Sequence, residues 1–319
     1  MKGLITLIFI VSLAFANNGD LEKAKKFIEE NKLKEARSIL EKIIETDEKN
    51  PEAFYYLAII CTKNKNMDDA EDYCEEAVEI CDTVAKYHFL LGQIYGIKVQ
   101  NASVFRQAFL AGDVLDEFKK TVELDSTHIG GRIGMLQYYS QAPGIVGGDM
   151  NKAFEQAREI IKLDTITGYN HLIDLLIKEN KYIEATGYIE KLIKNDEITG
   201  RFKNISLFLA QSKINQALNE FKIIDTKFGD NPEIKKYKSF FNTLGYALLK
   251  KDKLLEAIDV FKKQVEIAPD DPNAFDSLGD GYKAAGKFKK AAEAYKKALE
   301  IDPDFKASKN NLEELQNKL

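Results

Sequence analysis

The sequence predicts an all-α chain, a solenoid of about eight stacked helical hairpins closed by a C-terminal capping helix. Three observations carry this prediction. Phe241, Leu244, Gly245, Ala257, Phe261 and Pro269 recur as Phe275, Leu278, Gly279, Ala291, Tyr295 and Pro303, each 34 residues later. A fixed period of that length is the mark of stacked hairpins, and an ordinary amphipathic bundle would not reproduce six positions at one offset. Within a repeat, Phe275, Leu278, Tyr282 and Tyr295 fall at the spacing of one helical face. Small residues and breakers stand where a hairpin needs them. Gly279, Ala291 and Ala298 let two helices approach, Gly286 permits a tight turn, and Pro303 stops the second helix because it lacks the donor to continue it.

The remaining elements follow from the same template. Repeat one has a first helix near residues 21–30 and a second carrying Ala36, Leu40 and Ile43. Repeat two runs from Pro51 with Phe54, Leu57, Ala58, Ala70 and Ala77. Repeat three opens with Leu91, Gly92 and Tyr95, but its second helix arrives about ten residues late at Val114–Phe118. An insertion at residues 96–105, between the two helices, is therefore expected. Repeat four carries Arg132, Met135, Leu136 and Tyr139, then Ala153, Ala157 and Ile160, with an over-long connection at residues 142–149. Repeats five (Leu172, Leu176, Ala185, Ile189) and six (Phe208, Ala217, Phe221, Ile224) are eroded. Their spacing is 32, with Ile173 and Ile205 where a small residue is usual. Repeats seven and eight are the regular pair, and residues 305–319 read as a solvating end helix. The chain thus divides into 1–16, repeats 17–126, degenerate repeats 127–231, and regular repeats with their cap at 232–319.

Residues 1–16 read as a secretory signal peptide. Met1-Lys2 is a basic start, an apolar stretch follows, and Ala14-Phe15-Ala16 fits a small-residue cleavage site. The expected location is the periplasm or outside the cell. The apolar stretch is shorter than the roughly 20 residues of a membrane span, and no later segment suffices. The mature length is large for one globular core, a limit that a solenoid escapes because each repeat touches only its neighbours. Formal net charge is −5, from 46 basic and 51 acidic residues, which argues against a nucleic-acid binder with a basic face. Asp68, Asp69, Glu71, Asp72, Glu75, Glu76 and Glu79 crowd one helix, read as a solvated face or, alternatively, an acidic docking surface.

Little in the chain suggests chemistry. Cys74 and Cys81 lie seven residues apart on one helix, roughly 10 Å and beyond disulfide reach. Cys61 and Cys74 face each other and are read as buried thiols, with a disulfide as the alternative. His88, His128 and His171 match no metal spacing, and His88 takes a core position where packing is expected. No nucleophile elbow is present. The glycine-rich stretch at 144–149 lacks the Lys-Ser/Thr of a phosphate loop. It reads as a flexible turn with Asp149 capping the next helix at Asn151, with ligand contact as the alternative. No catalytic residue, metal or cofactor is assigned.

The spacing of residue types resembles the tetratricopeptide repeat over nearly all of the mature chain. Residues 91–172 further resemble exported bacterial tetratricopeptide proteins with an Ala-Pro-Gly-x-x-Gly-Gly loop in a mid-chain repeat. Gly92, Asn101, Ala102, Phe105, Tyr138, Tyr139, Ala142, Pro143, Gly144, Gly147 and Gly148 carry this likeness. The resemblance implies a right-handed superhelical solenoid, association with a protein or peptide partner, and a concave groove lined by the first helices. The groove positions it implies are Tyr55, Phe89, Gln93, Gln137, Gln141, Asn170, Asp174, Asn242, Tyr246, Asp276 and Asp280. Asp276 and Asp280 put negative charge where a clamp for C-terminal carboxylates would need positive charge. A small-molecule or glycan site on the inserted segments is the alternative, at Asn101, Phe105, Pro143, Gly144, Gly147, Gly148 and Asp149. An enzyme of unseen chemistry is a remote third reading.

If the leader is removed after Ala16, mass spectrometry of the mature protein will show an N-terminus at Asn17 or within a residue or two. Intact Met1 recovered from the cytoplasmic fraction would rule out export.

Overall fold

The computed structural model describes residues 19–101 and 104–316, without the side chains of 101–111 and 316. The proposed leader lies outside these residues. The described chain is all-helical. After α1 (19–29) come α2 (Leu33–Thr46), α3 (Pro51–Lys63), α4 (Met67–Ile80), α5 (Ala85–Asn101), α6 (Val104–Leu124), α7 (Ile129–Gln141) and α8 (Met150–Leu163). Then follow α9 (Thr165–Lys178), α10 (Tyr182–Asn195), α11 (Glu197–Ala210), α12 (Ile214–Phe228), α13 (Lys238–Leu249), α14 (Leu254–Ile267), α15 (Pro272–Ala284), α16 (Phe288–Ile301) and α17 (Lys306–Gln316). They pair in sequence as eight hairpins and a terminal helix. Contacts divide them into two compact units, with the boundary after Gly168. The sequence-based grouping followed the regularity of the repeats instead.

Local chemistry fixes the hairpins. Asn50 caps α3 by accepting from Ala53 N at 3.1 Å ahead of Pro51, and Asp271 caps α15 by accepting from Asn273 N at 3.0 Å ahead of Pro272. In six hairpins the turn between helices carries one left-handed residue: Asn31, Lys65, Asn180, Ser212, Asp252 and Gly286, with φ from 57° to 68°. Only Gly286 adopts this without a Cβ penalty. Hairpin four, one of the two with extra chain, places its left-handed residue, Gly147 at φ 92°, within a longer connection.

The insertion at 96–105 differs from expectation. Residues 96–101 continue α5, and Val104 already belongs to α6, so the two helices reach 17 and 21 residues. The extra chain lengthens both helices where an inserted loop was expected. The physical reason lies in Ile97-Lys98-Val99, which carries the α5 pattern past Gly96 without a proline. Lys98 also ties this extension to α4, through Asp68 at 2.8 Å and a closer contact to Glu71. With Tyr95 Oη donating to Glu75 at 2.7 Å, three of the seven clustered acids on α4 are engaged by α5.

Packing rests on aromatic rings set against small residues. In the first unit a Cβ on Gly92 would lie 3.0 Å from the Phe118 ring, and one on Gly134 2.6 Å from the same ring. Phe118 on α6 is thus wedged between the first helix of its own hairpin and that of the next. The second unit repeats this. Phe261 on α14 stands 2.3 Å from a Cβ built on Gly245 and 3.0 Å from one on Gly281. The eroded hairpin five splits the volume differently, with buried Ile173 and Ile189 at the same 16-residue offset as Gly245 and Phe261.

The 32-residue spacing also has a structural cause. One non-helical residue, Asp164, joins α8 to α9, and one, Asp196, joins α10 to α11. The Asp164 side chain accepts from Thr167 N at 3.1 Å and Thr167 Oγ1 at 2.8 Å, and Asp196 accepts from Thr199 N at 3.0 Å. Gly168 and Gly200 complete each corner, since a Cβ would fall 2.4 Å from Ile161 N and 2.7 Å from Ile193 N. This Asp-x-x-Thr-Gly pair recurs 32 residues apart and went unread in the sequence.

At the end of the second unit, buried Leu315 of α17 joins Ala291, Ala292 and Tyr295 in one apolar cluster. Ala291 is fully buried, so Ala291→Leu should overpack this hairpin and cost about 1–3 kcal/mol. Because repeats couple to their neighbours, hydrogen exchange should rise most in α13–α17. Equal loosening in α3 and α4 would contradict that.

Candidate functional site

The first unit brings α1, α3 and α5 together through their neighbouring faces, since α3 touches both α5 and the hairpin before it. Three tyrosines gather there. The Tyr55 ring lies 5.1 Å from Tyr56 and 5.2 Å from Tyr87. The Lys86 ammonium stands 5.0, 5.8 and 5.4 Å from the centroids of Tyr55, Tyr56 and Tyr87, within cation–π range. It also contacts Glu52, which Lys25 approaches at 3.3 Å. Burial pushes the Glu52 carboxyl up, but the two ammonium groups outweigh it and hold the group below its usual value. Burial pushes the Tyr55 phenol up to about 12.

Lys25, Glu52 and Lys86 were not among the positions expected from the sequence. A signal existed: Glu52 and Lys86 stand 34 residues apart, at the same repeat position. Phe89 is half-buried against His128 at 4.6 Å and Phe118 at 6.1 Å. His128 caps α7 by accepting from Gly131 N at 2.9 Å. Gln93, Gln137 and Gln141 are exposed.

In the second unit the expected groove residues bond to neighbouring helices. Exposed Asp174 on α9 pairs with buried Lys203 on α11 at 2.5 Å, while Asn170 is half-buried. Burial pushes neighbouring His171 below its usual value, and Lys203 adds to that. Asn242 accepts from Ser277 Oγ at 2.6 Å. Tyr246 and Tyr295 each donate to Asp280 at 2.8 Å. Asp276 is 5% exposed and accepts from Ser308 Oγ at 2.6 Å and Asn311 Nδ2 at 3.3 Å. Its carboxyl is pushed up by burial. The negative charge of Asp276 and Asp280 is thus bonded to α13, α16 and α17, with Asp276 dedicated to the cap.

The connection at 142–149 is a braced turn. Residues Gly144–Val146 form one 3-10 turn, and Gly147 follows at φ 92°. Tyr138 Oη donates to the Val146 carbonyl, and Asp149 N to the Tyr139 carbonyl at 2.9 Å. Asp149 caps α8, accepting from Asn151 N at 2.9 Å. Pro143 and Gly144 are exposed, and Ile145 at the tip is 94% exposed. Instead of the expected flexible turn, bonds hold both flanks of this one. Asn101 and Phe105 fall among the side chains outside the described set.

The three cysteines are free thiols. Burial pushes Cys61 up and Cys74 to about 12. Among the described residues no group of three or more His, Cys, Asp or Glu side chains is placed to hold a metal, and no helix is long and apolar enough to cross a membrane.

Gly148 tests the bracing. A Cβ there would lie 1.7 Å from the Ala142 carbonyl oxygen, so Gly148→Ala must move the backbone. It should raise hydrogen exchange across 139–149 and cost about 1–3 kcal/mol. Gly144→Ala, with open space around it, should change neither. Equal effects would mean the turn is unbraced.

Comparisons with known proteins follow this geometry. Family models of the tetratricopeptide repeat match residues 27–94, 239–271 and 272–305, and a PPR repeat model matches 168–196. No curated protein matches. Among solved structures, PilW, described as a widely conserved type IV pilus biogenesis factor, is 14% identical with a TM-score of 0.54, over 67% of this chain and 94% of that one. Pseudomonas aeruginosa pilF is 12% identical with a TM-score of 0.52, over 72% and 99%. A tetratricopeptide repeat protein from Parabacteroides merdae is 14% identical with a TM-score of 0.50, over 83% and 98%. At these identities the likeness is one of fold. Residues 27–94 and 239–305 match tetratricopeptide repeat models, and the fold is that of helical hairpins stacked in this manner.

Proposed function

We propose that this protein is a non-catalytic scaffold or adaptor, exported to the periplasm or beyond, that binds a protein or peptide partner along the first-helix face of its N-terminal repeats. The observation that carries this reading is the Tyr55–Tyr56–Tyr87 cluster with its Lys25–Glu52–Lys86 ladder. Three aromatic rings and alternating charges lie together there on consecutive first helices. Half-buried Tyr55 and Tyr56 beside buried Tyr87 are the kind of partly desolvated anchor on which peptide recognition depends. Phe89 and exposed Gln93 extend the face toward α7. In the second unit the equivalent polar residues are largely bonded to adjacent helices, so the first unit is the better candidate.

The test is site-specific photo-crosslinking in the exporting cell. A crosslinker at Gln93 should give one discrete protein adduct, and one at exposed Glu76 on α4 should not. Tyr55→Ala should remove the adduct at Gln93 while the melting temperature falls only slightly. Equal adducts at both sites, or none, would sink the reading. A thermal shift with small molecules but no protein adduct would favour a small-molecule site.

A further inference from the structure

His88 brings an imidazole into the interior of the third hairpin. It is 5% exposed, at a position where the sequence predicts simple packing. Its Nε2 lies 2.9 Å from the backbone carbonyl oxygen of Asp82, in the α4–α5 connection. Its Nδ1 lies 2.7 Å from Glu117 Oε2 on α6. A carbonyl oxygen only accepts, so Nε2 carries a hydrogen. An ionised carboxylate also only accepts. A neutral ring protonated at Nε2 would therefore set a bare lone pair against Glu117, acceptor to acceptor. The short contact requires one more proton, on Nδ1 or on the carboxyl. Imidazolium with carboxylate and neutral ring with carboxylic acid contain the same total.

We propose that His88 and Glu117 hold one shared proton that locks the start of α5 to α6 and to the α4–α5 corner, and that rising pH withdraws it. The surroundings favour retention. Cys74 faces the pair from α4, Tyr95 from α5, and Asp113 and Asp116 from α6. None of these is a cation at neutral pH. From the α6–α7 connection, His128 lies against Phe89 instead. Burial, aided by the two aspartates, pushes the Glu117 carboxyl up although His88 opposes it.

The direction of the effect follows from proton counting. In the unfolded chain the histidine releases its proton near pH 6.5 and the glutamate near 4.3. Above about pH 6.5 the folded pair therefore binds one proton more than the unfolded pair, so stability falls as pH rises. Local opening should increase about tenfold per pH unit in that range. Lys86 and Phe89 flank His88 on the same turns of α5, so opening there would disturb the binding face. That coupling rests on the proposed function, whereas the lock does not.

Glu117→Gln separates the possibilities. The Gln amide can donate to Nδ1 while Nε2–H still donates to the Asp82 carbonyl, so a neutral ring is satisfied without the extra proton. Hydrogen exchange of residues 84–92 in the full chain, normalised to intrinsic rates, would be followed from pH 6 to 9. In the wild type, opening should climb about tenfold per unit above pH 6.5, while in Glu117→Gln it should stay flat. Flat wild-type opening, or an equally steep rise in the variant, overturns the lock. A second reading needs no variant. NMR of the His88 ring nitrogens and the Glu117 carboxyl carbon at pH 7 should together show one proton beyond a neutral ring and a carboxylate. An ionised carboxylate beside a neutral ring refutes it. A steep wild-type response without a partner adduct at any pH would leave the lock standing and fail the binding-face reading.

Discussion

Everything in these repeats depends on how closely two helices can approach. Where Gly92 or Gly245 removes a side chain, an aromatic ring from the second helix occupies the vacated space. The ring then reaches through to the next hairpin, as Phe118 does at Gly134 and Phe261 at Gly281. One side chain therefore closes its own hairpin and seats the following one. Close packing leaves such a ring no tolerance for an added methyl. The regular repeats keep glycine for that reason. Hairpin five instead divides the same space between two isoleucines.

This wedge frees the first-helix surface for polar work. In the second unit that surface is used largely for internal bonding. Asn242 to Ser277, Tyr246 to Asp280 and Ser308 to Asp276 run from helix to helix, so residues with the look of ligand contacts act as mortar. In the first unit, Lys25, Glu52 and Lys86 also bond to one another, but at a partly exposed aromatic cluster. An aromatic cluster under an ion-paired charged cover distinguishes this face from the C-terminal one.

Much of the fold was legible in the sequence because it is local. The glycine and alanine positions, the turn at Gly286 and the helix stop at Pro303 act within a single hairpin, and the 34-residue offset repeats them. The eroded repeats were harder, since their signal had moved from the apolar positions to the corners at Asp164-Gly168 and Asp196-Gly200. Residues 96–101 misled because a spacing count registers extra chain but not its conformation. Lys98 settles that by pairing with Asp68 and Glu71 on α4, a contact between helices.

The sequence by itself determined the hairpin count, the capping helix and which residues are small, because a repeat states its own period. Tertiary structure decided how each polar residue is used. Asp276 and Tyr55 hold comparable positions in their repeats, yet one is buried under Ser308 and Asn311 and the other stays half-open beside Lys86. His88 looked like core packing until Glu117 and the Asp82 carbonyl met it at both nitrogens. Hydrogen bonding depends on distances across helices, and a period along the chain carries no information about them.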